Sequence, residues 1–143
     1  MELWRPFAKT FDADNLTLFR TEHWSVLVRK GQVTLGTLVL AANRNFISAS
    51  EFTQDELMEL PQIVGRLEAA LSEAFAYNKI NYLTLMMSDR HYHSHVVPRY
   101  EDVRAFDGLT WEDADWPGPP NVGVPPASND TLMAIRNHLK QYV

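Results

Sequence analysis

Three histidines occupy alternate positions in the segment RHYHSHVVPRY, which covers residues 90–100. They are His91, His93 and His95, in a chain of 143 residues that contains five histidines in all. Side chains alternate across a β-strand, so an extended segment would present these imidazoles on one face at intervals of about 6.6 to 6.8 Å. Such a row fits a metal site, a site for phosphate chemistry, or a polar strand face that is rich in histidine by chance.

The metal interpretation rests on imidazole being a common ligand of zinc and other transition metals. Two alternate histidines of a strand can chelate one ion, but the outer two are too far apart for ligand bonds of about 2.0 to 2.1 Å unless the strand bends. The chain has no cysteine, and Ser94, Val96 and Val97 stand where a carboxylate ligand would be expected. The two further histidines, His23 and His138, are possible third ligands. A His-ligated metalloenzyme is therefore the weaker alternative.

Phosphate chemistry accounts for the regular spacing, which the metal interpretation does not. A neutral imidazole nitrogen is a nucleophile near pH 7, and a protonated imidazole donates hydrogen bonds to phosphoryl oxygens. The middle histidine can attack phosphorus while a flanking one stabilises charge or protonates the leaving oxygen. The row therefore predicts metal-independent phosphate chemistry, without a cofactor, at His91, His93 and His95.

Alternating apolar residues predict the strands that position this row. Residues 24–28 and 33–41 form a predicted hairpin with its turn at residues 30–32, and Gly36 indicates a bulge or a close backbone approach. Residues 81–87 and 91–97 form two further predicted strands. Only three residues separate this second pair, so the two strands are expected to be antiparallel neighbours.

Two helices follow from caps and apolar periodicity. Thr53 and Glu56 match a capping box ahead of a long apolar stripe, in which Pro61 predicts a kink or a short turn before the main helix. A final helix is predicted from about Ser128, after a proline-rich connector. We therefore expect a single α+β domain over residues 1–143: an antiparallel sheet with one long helix packed on it, a core at about 20–100, and a connector and C-terminal helix at 101–143.

Composition restricts the partners. The formal net charge is -5, which disfavours a nucleic acid polymer or an anionic membrane and leaves small anions as candidate ligands. The most apolar stretch, residues 33–42, is about half of the roughly 20 residues that cross a bilayer. The N-terminus lacks the pattern of a signal peptide. These observations predict a cytoplasmic protein.

The segment HYHSHVVPRY resembles the signature of the histidine triad (HIT) family, in which three histidines alternate with apolar residues and Pro-Arg often follows. The hairpin LVRKGQVTLGTLVL, the helix entry FTQDEL and INYLTLMM before the triad appear in the family's order. The resemblance covers roughly residues 20–100. It implies a five-stranded antiparallel sheet with a long helix, a homodimer, and small-molecule substrates such as dinucleoside polyphosphates, nucleoside phosphoramidates and adenylylated compounds.

The resemblance also implies a role for each histidine. His93 would attack the α-phosphorus of a nucleotide and form a nucleotidyl-histidine intermediate, which water or another acceptor then releases. His95 would contact the phosphate and assist the leaving group. His91 would orient His93, partly through its backbone carbonyl. Four further residues are candidate nucleotide or phosphate contacts because they adjoin the first hairpin turn or the triad: Arg29, Gln32, Ser88 and Arg90.

Several positions depart from the family pattern. Thr37 and Asn45 stand where many members carry an additional histidine, Arg29 stands where many carry asparagine, and Ser94 replaces an apolar residue within the triad. These changes leave open a second interpretation, a nucleotide-binding module of the HIT type with little or no catalysis.

Overall fold

Five strands form one antiparallel sheet in the computed structural model, which describes residues 2–143. The strand bounds are Thr17–Arg20 (β1), Trp24–Val28 (β2), Leu38–Ala42 (β3), Lys79–Leu83 (β4) and His93–Arg99 (β5). Their spatial order is β1-β2-β3-β5-β4, so the histidine-bearing strand β5 lies between β3, which belongs to the predicted hairpin, and β4, its predicted antiparallel neighbour. The predicted α+β fold with a five-stranded antiparallel sheet is confirmed.

Residues 2–143 also form four α-helices, a short 3-10 helix at Ala49–Glu51 and a second, two-stranded sheet. The helices are Trp4–Thr10 (α1), Ala13–Leu16 (α2), Gln54–Phe75 (α3) and Asn129–Lys140 (α4), and the small sheet pairs Arg104–Phe106 (β6) with Leu109–Trp111 (β7). The sequence predicted α3 and α4 but not α1, α2 or the β6–β7 hairpin. No helix within residues 2–143 is both long and apolar enough to cross a membrane.

The long helix begins at the predicted capping box. The Thr53 hydroxyl accepts from the Glu56 backbone N–H, and the Glu56 carboxylate accepts from the Thr53 N–H. The expected turn before the main helix is wrong, because α3 runs from Gln54 to Phe75 with Pro61 inside it. Proline leaves the carbonyl four residues earlier without its helical partner. That carbonyl belongs to Leu57, and both residues are exposed, so solvent can hydrate it.

Both faces of the sheet are buried, and different elements cover each face. Helices α3 and α4 cover the face that carries Trp24, Val26 and Val96, forming the main core. The opposite face, which we call the histidine face, carries Leu27, Val39 and Ala41 beside the triad. The aromatic side chain of Phe7 from α1 packs on these residues. The N-terminal helix is thus what covers this part of the histidine face.

The connection between β2 and β3 is longer than predicted. Strand β3 starts at Leu38 rather than at the predicted residue 33, because side-chain hydrogen bonds hold the preceding residues in a loop. The Gln32 amide donates to the carbonyls of Arg29 and Thr37, and its oxygen accepts from the backbone N–H of Gly36 and Thr37. Gly36 adopts φ +89, and a Cβ there would lie 2.9 Å from the Phe75 ring. The close approach predicted at Gly36 is therefore present.

The boundaries of the second strand pair are also shifted. Strand β4 ends at Leu83, before the predicted end at residue 87, and β5 starts at His93 rather than at residue 91. The two strands are antiparallel neighbours, as predicted. A loop of residues 84–92 joins them, and it includes Met86 in the left-handed region at φ 52. This longer loop forms one wall of the site described below.

Candidate functional site

The three predicted histidines come together under the N-terminal helix. His93 and His95 lie on the histidine face of β5, with ring centroids 5.2 Å apart, while His91 precedes the strand. The Phe7 ring lies 4.9 Å from the His91 ring and 5.2 Å from the His93 ring. Exposed fractions of 0%, 3% and 8% for His91, His93 and His95 show that the whole row is buried.

Backbone carbonyls select the tautomers of two of these rings. His91 Nε2 lies in hydrogen-bond contact with the Ala42 carbonyl, and His93 Nδ1 lies 2.6 Å from the His91 carbonyl. A carbonyl only accepts, so each of these ring nitrogens carries the proton and donates it. In neutral His93 the remaining nitrogen, Nε2, therefore keeps its lone pair. This arrangement gives His93 a nucleophilic nitrogen and a fixed ring orientation.

Burial keeps the histidines neutral. It lowers the pKa of His91 and His93 below the ordinary value of 6.5, because the surrounding protein solvates a charged imidazolium poorly. Burial, with the positive charge of Arg29, lowers the pKa of His95 to about 4. At pH 7 these rings are therefore neutral, and each keeps the lone pair of one ring nitrogen.

The lowered pKa of His95 predicts a pH dependence of stability. An unfolded histidine titrates near pH 6.5 and folded His95 near 4, so the unfolded state binds more protons between these values. The free energy of unfolding should fall as the pH drops from 6.5 towards 4. Urea unfolding of the wild type and of His95→Asn measures the contribution. The variant should lose less stability over this interval, and an equal loss in both proteins would contradict the buried, neutral state of His95.

A cleft of about 370 Å³ opens over the triad strand. His93 and His95 form its floor, and His91 lies outside it. Its walls come from the end of α1, the β2–β3 loop, the β4–β5 loop and the connector, through Thr10, Phe11, Arg29, Leu85, Met86, Met87, Ser88, Asp89, Val122 and Gly123. The volume lies near the lower end of the roughly 300 to 1,000 Å³ found for small-molecule sites. The cleft therefore admits a ligand to the two histidines from solvent.

Arg29, one of the predicted phosphate contacts, is the Lys or Arg side chain that lines this cleft. Its guanidinium donates to the Gly31 carbonyl at 2.9 Å and to the Val122 carbonyl at 3.0 Å. These bonds use Nη1 and Nη2 and fix the direction of the side chain. A guanidinium presents five N–H donors in all, so donors are left for a ligand. The positive charge is thus held in place beside His95.

The other three predicted contacts lie in different surroundings. Ser88 lines the cleft and is exposed. Arg90 is exposed and is not among the residues that line the cleft. Gln32 is also outside the lining, because its amide makes the loop bonds between β2 and β3. Its prediction as a ligand contact is therefore not supported by its position, and its role is to shape the loop that carries Arg29.

Several lining residues were missed by the sequence analysis. The Phe11 ring is half-buried, lies 5.4 Å from the His93 ring and lines the cleft. Leu85 to Met87 were assigned to a strand. The available signal was the run of methionines beside a proposed site, since flexible Met side chains are frequent at adaptable binding surfaces. The sequence around Val122 and Gly123 has no pattern that would have predicted their place in the cleft wall, apart from its being part of the connector.

Asn45 and Thr37, which depart from the pattern of the resemblance, make structural hydrogen bonds. Asn45 caps α1, because its side-chain oxygen accepts from the backbone N–H of Leu3 at 3.1 Å and of Trp4 at 2.8 Å. Thr37 is buried, and its hydroxyl donates to the Thr34 carbonyl. Both residues thus stabilise elements around the cleft without reaching into it.

A buried ion pair fixes the connector against the sheet. Arg99 at the end of β5 donates from Nε and Nη2 to the two carboxylate oxygens of Asp113, at 2.7 and 3.1 Å. It also donates to the Gly118 carbonyl and to the Asn81 side chain. Burial opposes ionisation of Asp113, but the Arg99 and Tyr100 hydrogen bonds lower its pKa below the ordinary range. The Arg99 charge is therefore committed to the connector rather than to a ligand.

The triad is not where possible metal ligands converge. Over residues 2–143, the His and carboxylate atoms that lie within 4.8 Å of one another belong to Glu22, His23 and Glu59. This group lies at the β1–β2 turn and the start of α3, where His23 Nδ1 and Glu59 form an ion pair at 2.6 Å. His23 therefore does not approach the triad as the third ligand considered for a metal site.

Comparisons with known proteins identify structural relatives. No family model matches the sequence, and no curated protein matches it. A histidine triad protein from Sinorhizobium meliloti is 19% identical, with a TM-score of 0.73 and 94% of each chain covered. A Marinobacter aquaeolei histidine triad protein is 19% identical, with a TM-score of 0.71, covering 94% of this chain and 96% of that one.

A third structure carries a functional description. It is a hypothetical histidine triad nucleotide-binding protein from Sulfolobus tokodaii, 16% identical, with a TM-score of 0.71, covering 96% of this chain and 90% of that one. At such identities the three likenesses concern the fold, which they match over nearly the whole chain.

Proposed function

Because this chain has the fold of the histidine triad proteins, we propose that it is a metal-independent nucleotide hydrolase or nucleotidyl transferase. It acts at an α-phosphate through a nucleotidyl intermediate on His93, and its place of action is the cytoplasm. The observation that carries the proposal is the 2.6 Å contact of His93 Nδ1 with the His91 carbonyl, at the floor of an open cleft. That contact leaves Nε2 as the attacking atom.

The first step is attack of His93 Nε2 on the α-phosphorus. A bond forms between Nε2 and phosphorus, and the bond from phosphorus to the leaving group breaks. His93 Nδ1 keeps its proton and donates it in a hydrogen bond to the His91 carbonyl. That acceptor stabilises the positive charge that develops on the His93 ring. The leaving atom takes a proton as it departs. Release follows when water attacks phosphorus and the bond to Nε2 breaks.

His95 is the proposed proton carrier. With a pKa of about 4 it is neutral in the unliganded protein, so the substrate must raise its pKa before it can act as an acid. Phosphate charges in the cleft have this effect, because an adjacent negative charge favours the imidazolium. Protonated His95 donates to the leaving atom and, once neutral, accepts a proton from the attacking water. The same ring thereby serves both steps.

Arg29 and Ser88 are the proposed phosphate contacts. Arg29 supplies the positive charge at the cleft wall, and a guanidinium pairs well with phosphoryl oxygens. The Ser88 hydroxyl, on the opposite loop, donates to a phosphoryl oxygen in this proposal. Asp89 also lines the cleft, and its carboxylate restricts how many phosphate charges the inner part of the site accepts.

The proposal is tested by turnover in the presence of excess chelator. The substrates are dinucleoside polyphosphates and nucleoside phosphoramidates with adenine or guanine, and released nucleotides are separated by chromatography. We expect release of a nucleoside monophosphate at a rate that the chelator does not change. Loss of activity in chelator that is restored by one metal would favour the metalloenzyme alternative. Tight nucleotide binding without any release would favour the binding-module alternative.

A homodimer is part of the same proposal. Leu57 and Met58 on α3 are 49% and 67% exposed, and the Tyr82 side chain on β4 is 38% exposed on the same side of the sheet. Tyr82 also lines an apolar cavity of about 330 Å³ between α3 and the sheet. Light scattering should give about twice the chain mass of 16.4 kDa, and Met58→Glu should shift the protein towards monomer. A monomer at every concentration tested would contradict the dimer.

A further inference from the structure

Three side chains of the kinds that bind metal ions meet at the β1–β2 turn. Glu22 and His23 belong to the turn and Glu59 belongs to the first half of α3. Each offers one ligand atom, and these atoms all lie within 4.8 Å of one another. The three residues are not among those that line the cleft over the triad. A nitrogen and two carboxylates therefore converge at a place that the proposed chemistry does not use.

The backbone of this turn is fixed by one side chain. The Asn43 amide donates to the carbonyls of Thr21 and Glu22, at 2.9 and 3.1 Å, and the Asn43 backbone N–H donates to the His23 carbonyl at 2.9 Å. The Thr21 hydroxyl in turn donates to the Glu59 carboxylate. Hydrogen-bond partners of this kind orient the ligands of metal sites in proteins. His23 and Glu59 are thus held in position by groups around them.

The charge at the turn favours a cation. The carboxylates of Glu59, Glu22 and Asp55 all act on His23 through their negative charge. A divalent ion offsets this negative charge more fully than a single imidazolium does. The His23 and Glu59 side chains are 23% and 17% exposed, and Glu22 is exposed, so an ion can reach the group from solvent.

The ligand atoms indicate the kind of ion. One imidazole nitrogen with two carboxylate oxygens suits zinc or a similar transition-metal ion, whereas Mg²⁺ and Ca²⁺ prefer oxygen ligands alone. Zinc bonds of about 2.0 to 2.2 Å place tetrahedral ligand atoms about 3.4 Å apart. His23 Nδ1 and a Glu59 oxygen are already 2.6 Å apart, and rotation of the exposed Glu22 side chain brings in the third ligand. When the ion replaces the hydrogen between Nδ1 and Glu59, the neutral imidazole carries its proton on Nε2.

We propose that Glu22, His23 and Glu59 form a site for Zn²⁺ or a similar divalent transition-metal ion, which links the β1–β2 turn to α3. The role of the ion is structural, because the site lies outside the cleft lining. Without the ion, the His23–Glu59 ion pair connects the same two elements. The inference is therefore independent of the proposed function and compatible with turnover in excess chelator.

Isothermal titration calorimetry with zinc chloride tests the site, on metal-stripped protein without a histidine tag. We expect Zn²⁺ to bind and Mg²⁺ not to bind. Glu22→Gln and His23→Gln should each weaken Zn²⁺ binding at least about tenfold, since even the hydrogen-bond partners of metal ligands have effects of that size. Glu22 is exposed, so its replacement leaves the fold intact. The control is Glu73→Gln, which removes an exposed carboxylate about 21 Å further along α3.

The triad is the other place where histidines are close together, so the titration is repeated with His93→Gly, which should bind Zn²⁺ as the wild type does. Zinc should also raise the midpoint of urea unfolding of the wild type and of Glu73→Gln, and not of Glu22→Gln.

Four results would overturn the proposal. They are the absence of Zn²⁺ binding, wild-type affinity in either Glu22→Gln or His23→Gln, loss of binding in His93→Gly, and an equal response to Mg²⁺. The third would place the ion at the triad, and the fourth would indicate an unselective acidic surface.

Discussion

Replacement of His93 by glycine is expected to lower turnover at least about a thousandfold, because the attacking nitrogen is lost and water alone must reach phosphorus. Nucleotide binding should persist, since Arg29 and the cleft walls are unchanged. Exogenous imidazole should restore part of the rate by entering the space that the side chain vacates. Steady-state kinetics and nucleotide titration of the same preparation measure both quantities.

The matched control for this variant is His23→Gln. His23 is paired with Glu59 at the β1–β2 turn and lies outside the cleft lining. The His23→Gln variant should retain the wild-type turnover, whereas His93→Gly should lose it. If His93→Gly kept more than a tenth of the wild-type rate on the substrates that the protein turns over, the nucleophile would have to be another group.

Removal of the Asp113 carboxylate is expected to lower the free energy of unfolding by about 3 to 5 kcal/mol, the range for breaking a buried ion pair from one side. Arg99 and Asp113 have side chains only 5% and 2% exposed, so Asp113→Ala leaves a buried guanidinium without its counter-charge. The Tyr100 N–H also loses its acceptor. Chemical denaturation measures the loss, with Asp115→Ala, an exposed acid of the same connector, as the control.

A double variant separates the charge from the packing in this prediction. Arg99→Met removes the uncompensated charge, so Arg99→Met with Asp113→Ala should be more stable than Asp113→Ala alone. A loss below about 1 kcal/mol for Asp113→Ala, the size typical of exposed pairs, would show that the pair does not fix the connector.

Local patterns were sufficient for the elements that carry the histidines. The capping box of Thr53 and Glu56 marks the start of α3, and alternation marks the core of β2 and β3. Their ends were predicted less well, because side-chain bonds made elsewhere in the chain decide them. Gln32 holds residues 33–37 in a loop although their sequence continues the alternation of the predicted strand.

The site itself was only partly predictable. The row at His91, His93 and His95 can be recognised in the sequence from its alternate spacing. The strand then places His93 and His95 on one face of the sheet. The cleft walls depend on contacts between distant parts of the chain. Arg29 donates to Val122, 93 residues away, and α1 covers the histidines although its short sequence carries no strong helix signal. Such pairings follow from the packed fold rather than from any local pattern.

The most direct measurement of the central claim is mass spectrometry of the intact protein, quenched in alkali at short times after mixing with a substrate that it turns over. The account predicts a transient mass increase of one nucleoside monophosphate less water, located by fragmentation on His93 and absent from His93→Gly. Turnover without any adduct at the shortest resolved times, or an adduct on a different residue, would contradict it.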